Sequence, residues 1–278
     1  MRQDDYGHLL RATLEREGIM PFIGVYDVFS ATLAAKHYDG LFISGFSFAA
    51  SFYGLPDVGF IAWPDIVAFC QRVRAVLPRH HIIVDIDDGY GDAESAAHVV
   101  SLLKGVGASG VIMEDQLRPR RCGHVDGKQL LDLDQYLVKL QKVLAVRKDL
   151  FVVARTDAIE HEDIARRVHA FVEAGADAVL IDGLRDLHLL KRLKTGLDVP
   201  LMFNQIAGGK SPPSTLAELQ AAGVSLVNYS TPCLFAAQEA IDAAMASLKQ
   251  GGGKLQDGIG IQECNAVLNA NLSRRDED

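Results

Sequence analysis

Apolar, β-branched runs alternate with segments of helical spacing along almost the whole chain. Eight such runs recur: PFIGVYD, GLFISG, HIIVDIDD, GVIMED, LFVVARTD, AVLID, PLMFN and SLVNYS. Intervening segments such as AESAAHVVSLLKGVG and EDIARRVHAFVEAG carry apolar residues at helical spacing and end at a glycine suited to a helix C-cap. The pattern predicts strand and helix alternating eight times.

This alternation predicts the α/β class, because parallel strands need crossover helices and are apolar on both faces. A (β/α)₈ TIM-type barrel and a doubly wound open sheet both satisfy it. The barrel is favoured because nearly every run stops on a polar or reactive residue, and barrel enzymes place their sites at the carboxyl ends of the strands. These terminal residues are Asp27, Ser44, Asp85 with Asp87, Glu114, Arg155, Asp182, Asn204 and Tyr229.

The length of 278 residues suits one large α/β domain, so residues 1–278 are predicted to form a single barrel domain. Its last part, 251–278, begins with the flexible GGGK and continues through IQECNAVLNANL, which has helical spacing. We expect this segment to act as a hinge and a helical tail for packing or subunit contact.

Composition and charge narrow the class of partner. About half of the residues are apolar and a quarter are charged, and no uninterrupted apolar run reaches the roughly 20 residues of a membrane span. The N-terminal MRQDDYGHLLRATLEREG has acids where a signal peptide needs bases, which favours a leading helix and a cytoplasmic protein. The net charge is −8 and the basic residues are dispersed, so we expect neither nucleic acid nor membrane as a partner. A small anionic substrate would need a local positive site.

The four cysteines, Cys70, Cys122, Cys233 and Cys264, include no CxxC pair. This spacing argues against a zinc site and against a disulfide framework.

The run DIDDGYGD carries the acids best placed to bind a metal ion. Side chains alternate along a strand, so Asp85 and Asp87 are predicted to lie on one side of it, and Glu114 ends the next strand. Carboxylates this close repel unless a cation lies between them, and a hard divalent ion with several waters suits such a site. We predict Mg²⁺, with Mn²⁺ as an alternative. Asp88 and Asp92 are instead expected in a loop and at a helix N-cap.

Arg155 follows the buried run LFVVA and predicts an anion site, because guanidinium binds carboxylate or phosphate through two hydrogen bonds. An internal ion pair with Asp157 or Glu114 is the alternative. Glycine at position 45 would let backbone N–H groups approach a ligand. Asp57, in the turn-rich GLPDVG, is equally well explained as a helix N-cap.

Cys122 lies in a loop flanked by Arg118, Arg120 and Arg121 and followed by His124. Four roles are open for it: metal ligand, nucleophile, proton donor or loop residue. Cationic neighbours lower a thiol pKa, so the sequence predicts partial thiolate character. The glycines at 123 and 127 indicate a loop that moves over the barrel mouth, as a lid that closes on substrate would.

Taken together, these motifs resemble the isocitrate lyase and phosphoenolpyruvate mutase superfamily over nearly the whole chain. The motifs are SG at 44–45, GLPDVG at 54–59, DIDDGYGD at 85–92, EDQ with RRCGH at 114–124, ARTDA at 154–158, and N with GGKSP at 204–212. The resemblance implies a Mg²⁺-dependent (β/α)₈ barrel, usually a homotetramer whose C-terminal helices are exchanged between subunits. RRCGH resembles the cysteine loop of the lyase branch.

That branch cleaves the C2–C3 bond of a 2-hydroxy acid, giving a 2-oxo acid and a carboxylate. The resemblance implies that Cys122 protonates the carbanion and that Asp57, Asp85, Asp87 and Glu114 organise Mg²⁺. It places Arg155 and the backbone at Ser44, Gly45 and Gly123–His124 on substrate carboxylates. His124 is then grouped with the catalytic residues, and Phe46 and Asn204 with the substrate-binding ones.

The resemblance leaves the substrate open. SGF with Phe42 upstream is similar to 2-alkylmalate lyases, whereas methylisocitrate lyases have Tyr and Gly at positions 42 and 46. RCGHVDGK is also similar to carboxyphosphoenolpyruvate mutase. Three departures from the usual pattern, Asp182 for Glu, Ala207 for Glu and YSTP at 229–232, border the distal pocket. The expected activity is cleavage of an (alkyl)malate or methylisocitrate-like acid. The alternatives are a phosphorylmutase, an oxaloacetate decarboxylase and a non-catalytic binding barrel.

Overall fold

Eight parallel strands close into a barrel in the computed structural model of the chain, which describes residues 5–255 and 258–275. The strands are β1 (Met20–Val25), β2 (Gly40–Ile43), β3 (His81–Asp85), β4 (Gly110–Glu114), β5 (Phe151–Thr156), β6 (Ala178–Ile181), β7 (Leu201–Gln205) and β8 (Val224–Tyr229). They pair in sequence order, and β8 pairs with β1. All eight predicted runs are therefore strands, and the prediction of a TIM-type barrel is confirmed.

Helices follow or precede the strands on the outside of the barrel. They are α1 (Tyr6–Glu17), α2 (Val28–Ala34), α3 (Gly45–Phe48), α4 (Trp63–Val76), α5 (Ala93–Gly105), α6 (Leu133–Val146), α7 (His161–Glu173), α8 (Leu187–Lys194), α9 (Leu216–Ala221), α10 (Pro232–Gln250) and α11 (Ile261–Arg275). A π-helical turn, Ala49–Tyr53, continues α3. The predicted N-cap of α5 is confirmed, since Asp92 Oδ1 accepts a hydrogen bond of 2.8 Å from the Ser95 amide.

The barrel interior is packed with apolar side chains. Phe22, Phe42, Ile83, Ile112, Val153, Leu180, Met202 and Leu226 form one buried cluster. Leu10 and Leu14 of α1 belong to the same cluster, so this leading helix covers the amino ends of the strands. The open end is the carboxyl face, where the loops after each strand meet.

Part of the predicted C-terminal tail, Ile261–Arg275, forms α11. α11 packs beside α2 and α4, and Asn271 Nδ2 donates a hydrogen bond of 2.9 Å to Thr32 Oγ1. Residues 256–257 and 276–278 of the predicted tail lie outside the described residues. Exchange of these helices between subunits stays a prediction. Across the described residues, no helix combines the length and apolar character needed to cross a bilayer.

Candidate active site at the carboxyl face

One closed cavity at the carboxyl ends of the strands brings most of the predicted site residues together. Its lining residues are Phe42, Ser44, Phe46, Asp57, Asp85, Ile112, Cys122, Gly123, Arg155, Leu180, Asp182, Asn204, Ile206, Asn228 and Ser230. Four other predicted residues lie next to members of this lining: Gly45, Asp87, Glu114 and His124. Seven of the eight strands or the loops after them, all except β1, contribute to the lining, because all eight strands point the same way.

Asp85 and Asp87 lie side by side, but the predicted reason is wrong. β3 ends at Asp85, and Asp87 follows it in a turn with a left-handed backbone, φ 50°. The Asp87 amide donates a hydrogen bond of 3.1 Å to Asp85 Oδ1. A tight turn, and not strand alternation, therefore sets the pair.

The space around this pair suits a small cation. Asp85 Oδ2 and Asp87 Oδ1 are each 3.1 Å from the point where a side chain at Gly45 would place its Cβ. Both carboxylate oxygens of Asp87 are buried without a hydrogen-bond partner. Burial raises the pKa of Asp87 well above its ordinary value against the effect of Arg120, and Asp85 and Asp57 raise it further. Arg120 compensates these carboxylates only in part, and a divalent cation would stabilise them further.

The predicted role of Glu114 at the metal, beside Asp85 and Asp87, stays a prediction. Within residues 5–255 and 258–275, no three His, Cys, Asp or Glu side chains form a group that would hold a metal ion directly. Glu114 is engaged by arginines instead: Arg120 Nε lies 2.5 Å from its Oε1 and Arg155 Nη2 3.0 Å from its Oε2. Because Mg²⁺ needs only one or two direct carboxylates and keeps several waters, Asp85 and Asp87 still fit this ion.

Arg120 organises the acids around the Asp85–Asp87 pair, which we call the metal cradle, and the sequence did not reveal this role. Its side chain is 1 % exposed and pairs with Glu114, with Asp57, and with Asp87 Oδ1 at 3.3 Å from Nη1. Asp57 is therefore an ion-pair residue, and the N-cap explanation is wrong, since α4 begins at Trp63 after Ala62. From the sequence Arg120 was only one of several basic loop residues; nothing in its neighbours predicted complete burial.

Arg155 lies at the centre of a second group of acids. Its Nη2 is 2.8 Å from Asp182 Oδ2, and its Nε is 3.0 Å from Asp157 Oδ2. Burial would lower the pKa of this guanidinium, but Asp157, Asp182 and Glu114 hold it well above the ordinary value. The predicted internal ion pairs are thus present. Arg155 also lines the cavity, so it remains available to an anion that enters.

His124 connects the lid, which is the loop between β4 and α6, to two other loops. Its Nδ1 accepts a hydrogen bond of 2.9 Å from the Lys210 amide, so Nε2 carries the proton and faces Asp182 Oδ1 at 3.2 Å. Burial acts to raise the pKa of Asp182, yet Arg155 and His124 hold it well below its ordinary range. Since both ring nitrogens are engaged, the geometry gives His124 a positioning function.

Cys122 lies in the cavity wall with its thiol protonated. Burial, with Asp57 and Asp182 nearby, raises its pKa to about 12. The predicted partial thiolate is wrong, because the flanking arginines are used elsewhere: Arg118 pairs with Asp88 at 2.7 Å, and Arg120 with the acids described above. Of the four roles left open, a proton donor is the one that a neutral thiol suits at ordinary pH.

The lid stands closed. A Cβ on Gly123 would overlap an oxygen of Asp182, and the free volume beneath is about 20 Å³, room for about one water molecule. Lys128 Nζ holds the Gly123 carbonyl at 2.6 Å and Asp157 Oδ1 at 2.8 Å. A substrate larger than water can enter only after the lid moves.

The sequence profile of the phosphoenolpyruvate phosphomutase family matches residues 10–249. The chain belongs to this family. The prediction of an enzyme of the isocitrate lyase and phosphoenolpyruvate mutase superfamily, a group of carbon–carbon lyases and mutases, is confirmed. A chloroplastic carboxyvinyl-carboxyphosphonate phosphorylmutase of Arabidopsis thaliana is 33 % identical over 92 % of this chain and 79 % of its own. A 2-methylisocitrate lyase of Bacillus subtilis is 32 % identical over 90 % of this chain and 84 % of its own.

Solved structures agree with the family. A 2,3-dimethylmalate lyase superposes with a TM-score of 0.91 at 28 % identity, covering 97 % of this chain and 93 % of its own. An oxaloacetate acetylhydrolase with bound 3,3-difluorooxalacetate gives 0.92 at 29 % identity, covering 99 % and 96 %. A phosphonopyruvate hydrolase with oxalate and Mg²⁺ gives 0.85 at 26 % identity, covering 99 % and 97 %.

Proposed function

We propose that the chain is a Mg²⁺-dependent lyase that cleaves the C2–C3 bond of a 2-hydroxy dicarboxylate to a 2-oxo acid and a carboxylate. The observation that carries the proposal is a protonated thiol, Cys122, in one closed cavity with the Asp85–Asp87 cradle and the Arg155 guanidinium. Such a cavity can anchor an acid at its carboxylates and supply a proton to the carbon between them.

Asp85 and Asp87 are the residues that would hold Mg²⁺, with the backbone of Gly45 leaving space beside them. When bound, the ion neutralises the carboxylates and supplies Lewis-acid stabilisation of oxygen charge. The solved phosphonopyruvate hydrolase with oxalate and Mg²⁺ supports this choice of metal and ligand.

Side chains of the protein bind the substrate and protonate the carbanion. Arg155 binds one substrate carboxylate through its fork of N–H donors, exchanging part of its contact with Asp182 for the ligand. As the C2–C3 bond breaks, its electron pair stays on C3, and Cys122 Sγ donates its proton there. The substrate hydroxyl loses a proton to a base in the same turnover, so the net charge of the cavity is unchanged. The starting state returns when that proton passes from the base to the Cys122 thiolate. The closed lid keeps water from the carbanion.

The lining favours a substrate with two carboxylates over one with three. Arg155 is the one cation among the lining residues, all of which lie in the described part of the chain. Phe42, Phe46 and Ile206 add apolar surface that suits a hydrogen or an alkyl group. We therefore place malate and 2-alkylmalates ahead of methylisocitrate-like acids.

A second candidate is cleavage of oxaloacetate, a 2-oxo diacid of the same size. The likeness to an oxaloacetate acetylhydrolase supports it. The side chain beside Arg155 supports it too, since Asp182 is shorter than the Glu usual at this position in the superfamily. Release of carbon dioxide would indicate a decarboxylase, release of acetate with oxalate a hydrolase, and a new phosphorus signal from a phosphonate substrate a phosphorylmutase.

The deciding experiment compares Cys122→Ser with Cys264→Ser; Cys264 lies on α11 and is not among the residues that line the cavity. On a panel of malates, alkylmalates, methylisocitrate and oxaloacetate, we expect Cys122→Ser to lose at least about a hundredfold in 2-oxo acid release. Its binding of Mg²⁺ with oxalate should be unchanged, because the thiol acts only on the carbanion. Cys264→Ser should behave as the wild type. A fully active Cys122→Ser variant would exclude the proton-donor role.

A further inference from the structure

One side chain in the cavity has a polar atom that nothing in the described residues satisfies. Asn228 lies on β8, is 1 % exposed and lines the cavity, and its Oδ1 is buried without a hydrogen-bond partner. A buried amide left unpaired is unfavourable, and proteins keep few such groups. Its retention points to a partner that arrives from outside the chain.

The strand pattern directs Asn228 into the site. Side chains two residues apart on a strand share a face, and Leu226 belongs to the apolar cluster inside the barrel. Asn228 is therefore the next inward side chain above that cluster. It is in register with Asn204 of β7 on one side and Phe22 of β1 on the other.

The position lies across the barrel from the metal cradle. In an eight-strand barrel paired in order, β7 faces β3, the strand of Asp85, and β8 stands next to β7. A ligand held at Asp85 by one end would thus direct its other end towards the β7–β8 wall.

The neighbouring polar groups on that wall are already in use. Ser230 Oγ donates a hydrogen bond of 2.6 Å to Asn204 Oδ1, and Asn204 Nδ2 donates one of 2.9 Å to Asp182 Oδ1. The Asn228 amide is the group on the wall whose acceptor is unused, and half a turn of the amide would present its donor instead. As it stands, Oδ1 can accept from a ligand hydroxyl; after the half turn, Nδ2 can donate to a ligand carboxylate, and neither arrangement adds charge.

We propose that Asn228 is a substrate-binding residue that hydrogen-bonds the end of the ligand remote from Asp85 and Asp87. For the 2-hydroxy dicarboxylate of the proposed function, on which this inference rests, that end is the C4 carboxylate. A neutral amide there, with no second cation in the lining, selects a dicarboxylate against a tricarboxylate.

The test uses Asn228→Leu, which keeps the size and removes the amide, and measures unfolding temperature and ligand affinity as well as turnover. The ligands are oxalate and malate, each with Mg²⁺. Without ligand, the variant should be at least as heat-stable as the wild type, because an unsatisfied polar group has been removed. Malate affinity should fall about tenfold, and oxalate affinity should not change, because oxalate is too short to reach β8.

The matched control is Asn271→Leu, since Asn271 is a buried amide in α11 that bonds Thr32, and neither residue lines the cavity. It should lower the unfolding temperature and leave both affinities unchanged. Asn228→Asp should weaken malate binding further than Asn228→Leu does, through repulsion between like charges.

Unchanged malate affinity in Asn228→Leu would overturn the inference, and so would equal loss of oxalate and malate together with a lower unfolding temperature, which indicates a structural role. Failure of the proposed function is a different result: the wild type would then bind Mg²⁺ with oxalate yet cleave no member of the panel.

Discussion

At the scale of single residues, the chemistry of Cys122 is decided by what its neighbours contact. Three arginines lie near it in the sequence, which would ordinarily favour a thiolate. Ion pairs direct Arg118 and Arg120 towards carboxylates, while burial and the acids Asp57 and Asp182 raise the thiol pKa to about 12. The residue thus keeps its proton, which a general acid requires and a nucleophile does not.

This pKa gives a prediction about alkylation by iodoacetamide. Because the thiol pKa is raised from 9.0 to about 12, the thiolate fraction at pH 8 is lower in the folded state than in the unfolded one. We expect Cys122 to react roughly ten- to a hundredfold more slowly in the folded protein, after allowing for the higher nucleophilicity of a more basic thiolate. The rate should still be rising with pH at pH 10.

Mass spectrometry of the peptide that contains Cys122 gives this rate, and the urea-unfolded chain is the reference. A folded-state rate that levels off near pH 7 would show a low thiol pKa and contradict the assignment.

At the scale of elements, the lid is the loop between β4 and α6, and its contacts with neighbouring loops keep it closed. Lys128 joins it to Asp157 after β5, and His124 joins it to Asp182 after β6 and to the Lys210 amide after β7. Lys210 Nζ adds a 2.5 Å contact with Asp126, whose side chain is 88 % exposed. The contacts therefore differ in strength, because both partners of the Lys128 pair are buried whereas Asp126, the partner of Lys210, is exposed to solvent.

Comparison of Lys128→Met with Lys210→Met separates these contacts. Loss of the Lys128 ammonium leaves the Gly123 carbonyl without its partner and Asp157 Oδ1 with Arg155 alone, so we expect lid amides at 122–128 to exchange hydrogen about tenfold faster. Lys210→Met should change exchange less than twofold, since exposed ion pairs contribute little. Hydrogen-exchange mass spectrometry measures both variants. Equal effects would show that burial does not determine which contact closes the lid.

At the scale of the whole molecule, the C-terminal helices leave apolar surface uncovered. Ile241 and Met245 of α10 are 59 % and 56 % exposed, and Leu272 of α11 is 58 % exposed. α10 has no buried residue along its nineteen positions. An apolar surface of this kind fits the expected homotetramer, in which a neighbouring subunit would cover it.

The double variant Ile241→Glu with Met245→Glu tests this assembly. Charges on an apolar contact surface would disfavour association, so we expect the mass measured by light scattering to fall from that of an oligomer to that of a monomer. The unfolding of the barrel itself should be little changed, because neither residue is buried. Val138→Glu, on an equally exposed residue of α6, is the control and should keep the wild-type mass. A wild type that is already monomeric contradicts the expectation.

The sequence by itself determined the architecture and the position of the site. The eight apolar runs are eight strands, because strands buried on both faces must be apolar throughout. Such runs can be recognised in the amino-acid sequence without knowledge of the fold. The polar residues that follow the runs meet at one end of the barrel because parallel strands share a direction. Asp85, Cys122 and Arg155 could therefore be assigned to one cavity from their positions relative to the strands.

Only the tertiary structure decided the electrostatic pairings within that cavity. Arg120 reaches Asp57 across 63 positions of the chain, and no local pattern encodes such a contact. Because Arg120 is engaged in this way, its charge is directed away from Cys122. Arg120 also pairs with Glu114, one of the carboxylates predicted to bind the metal. The unpaired amide of Asn228 is likewise visible only in three dimensions, since it depends on what every neighbouring strand presents. Periodicity predicts which face a residue occupies; which charges meet there depends on the distances between strands and loops that folding brings together.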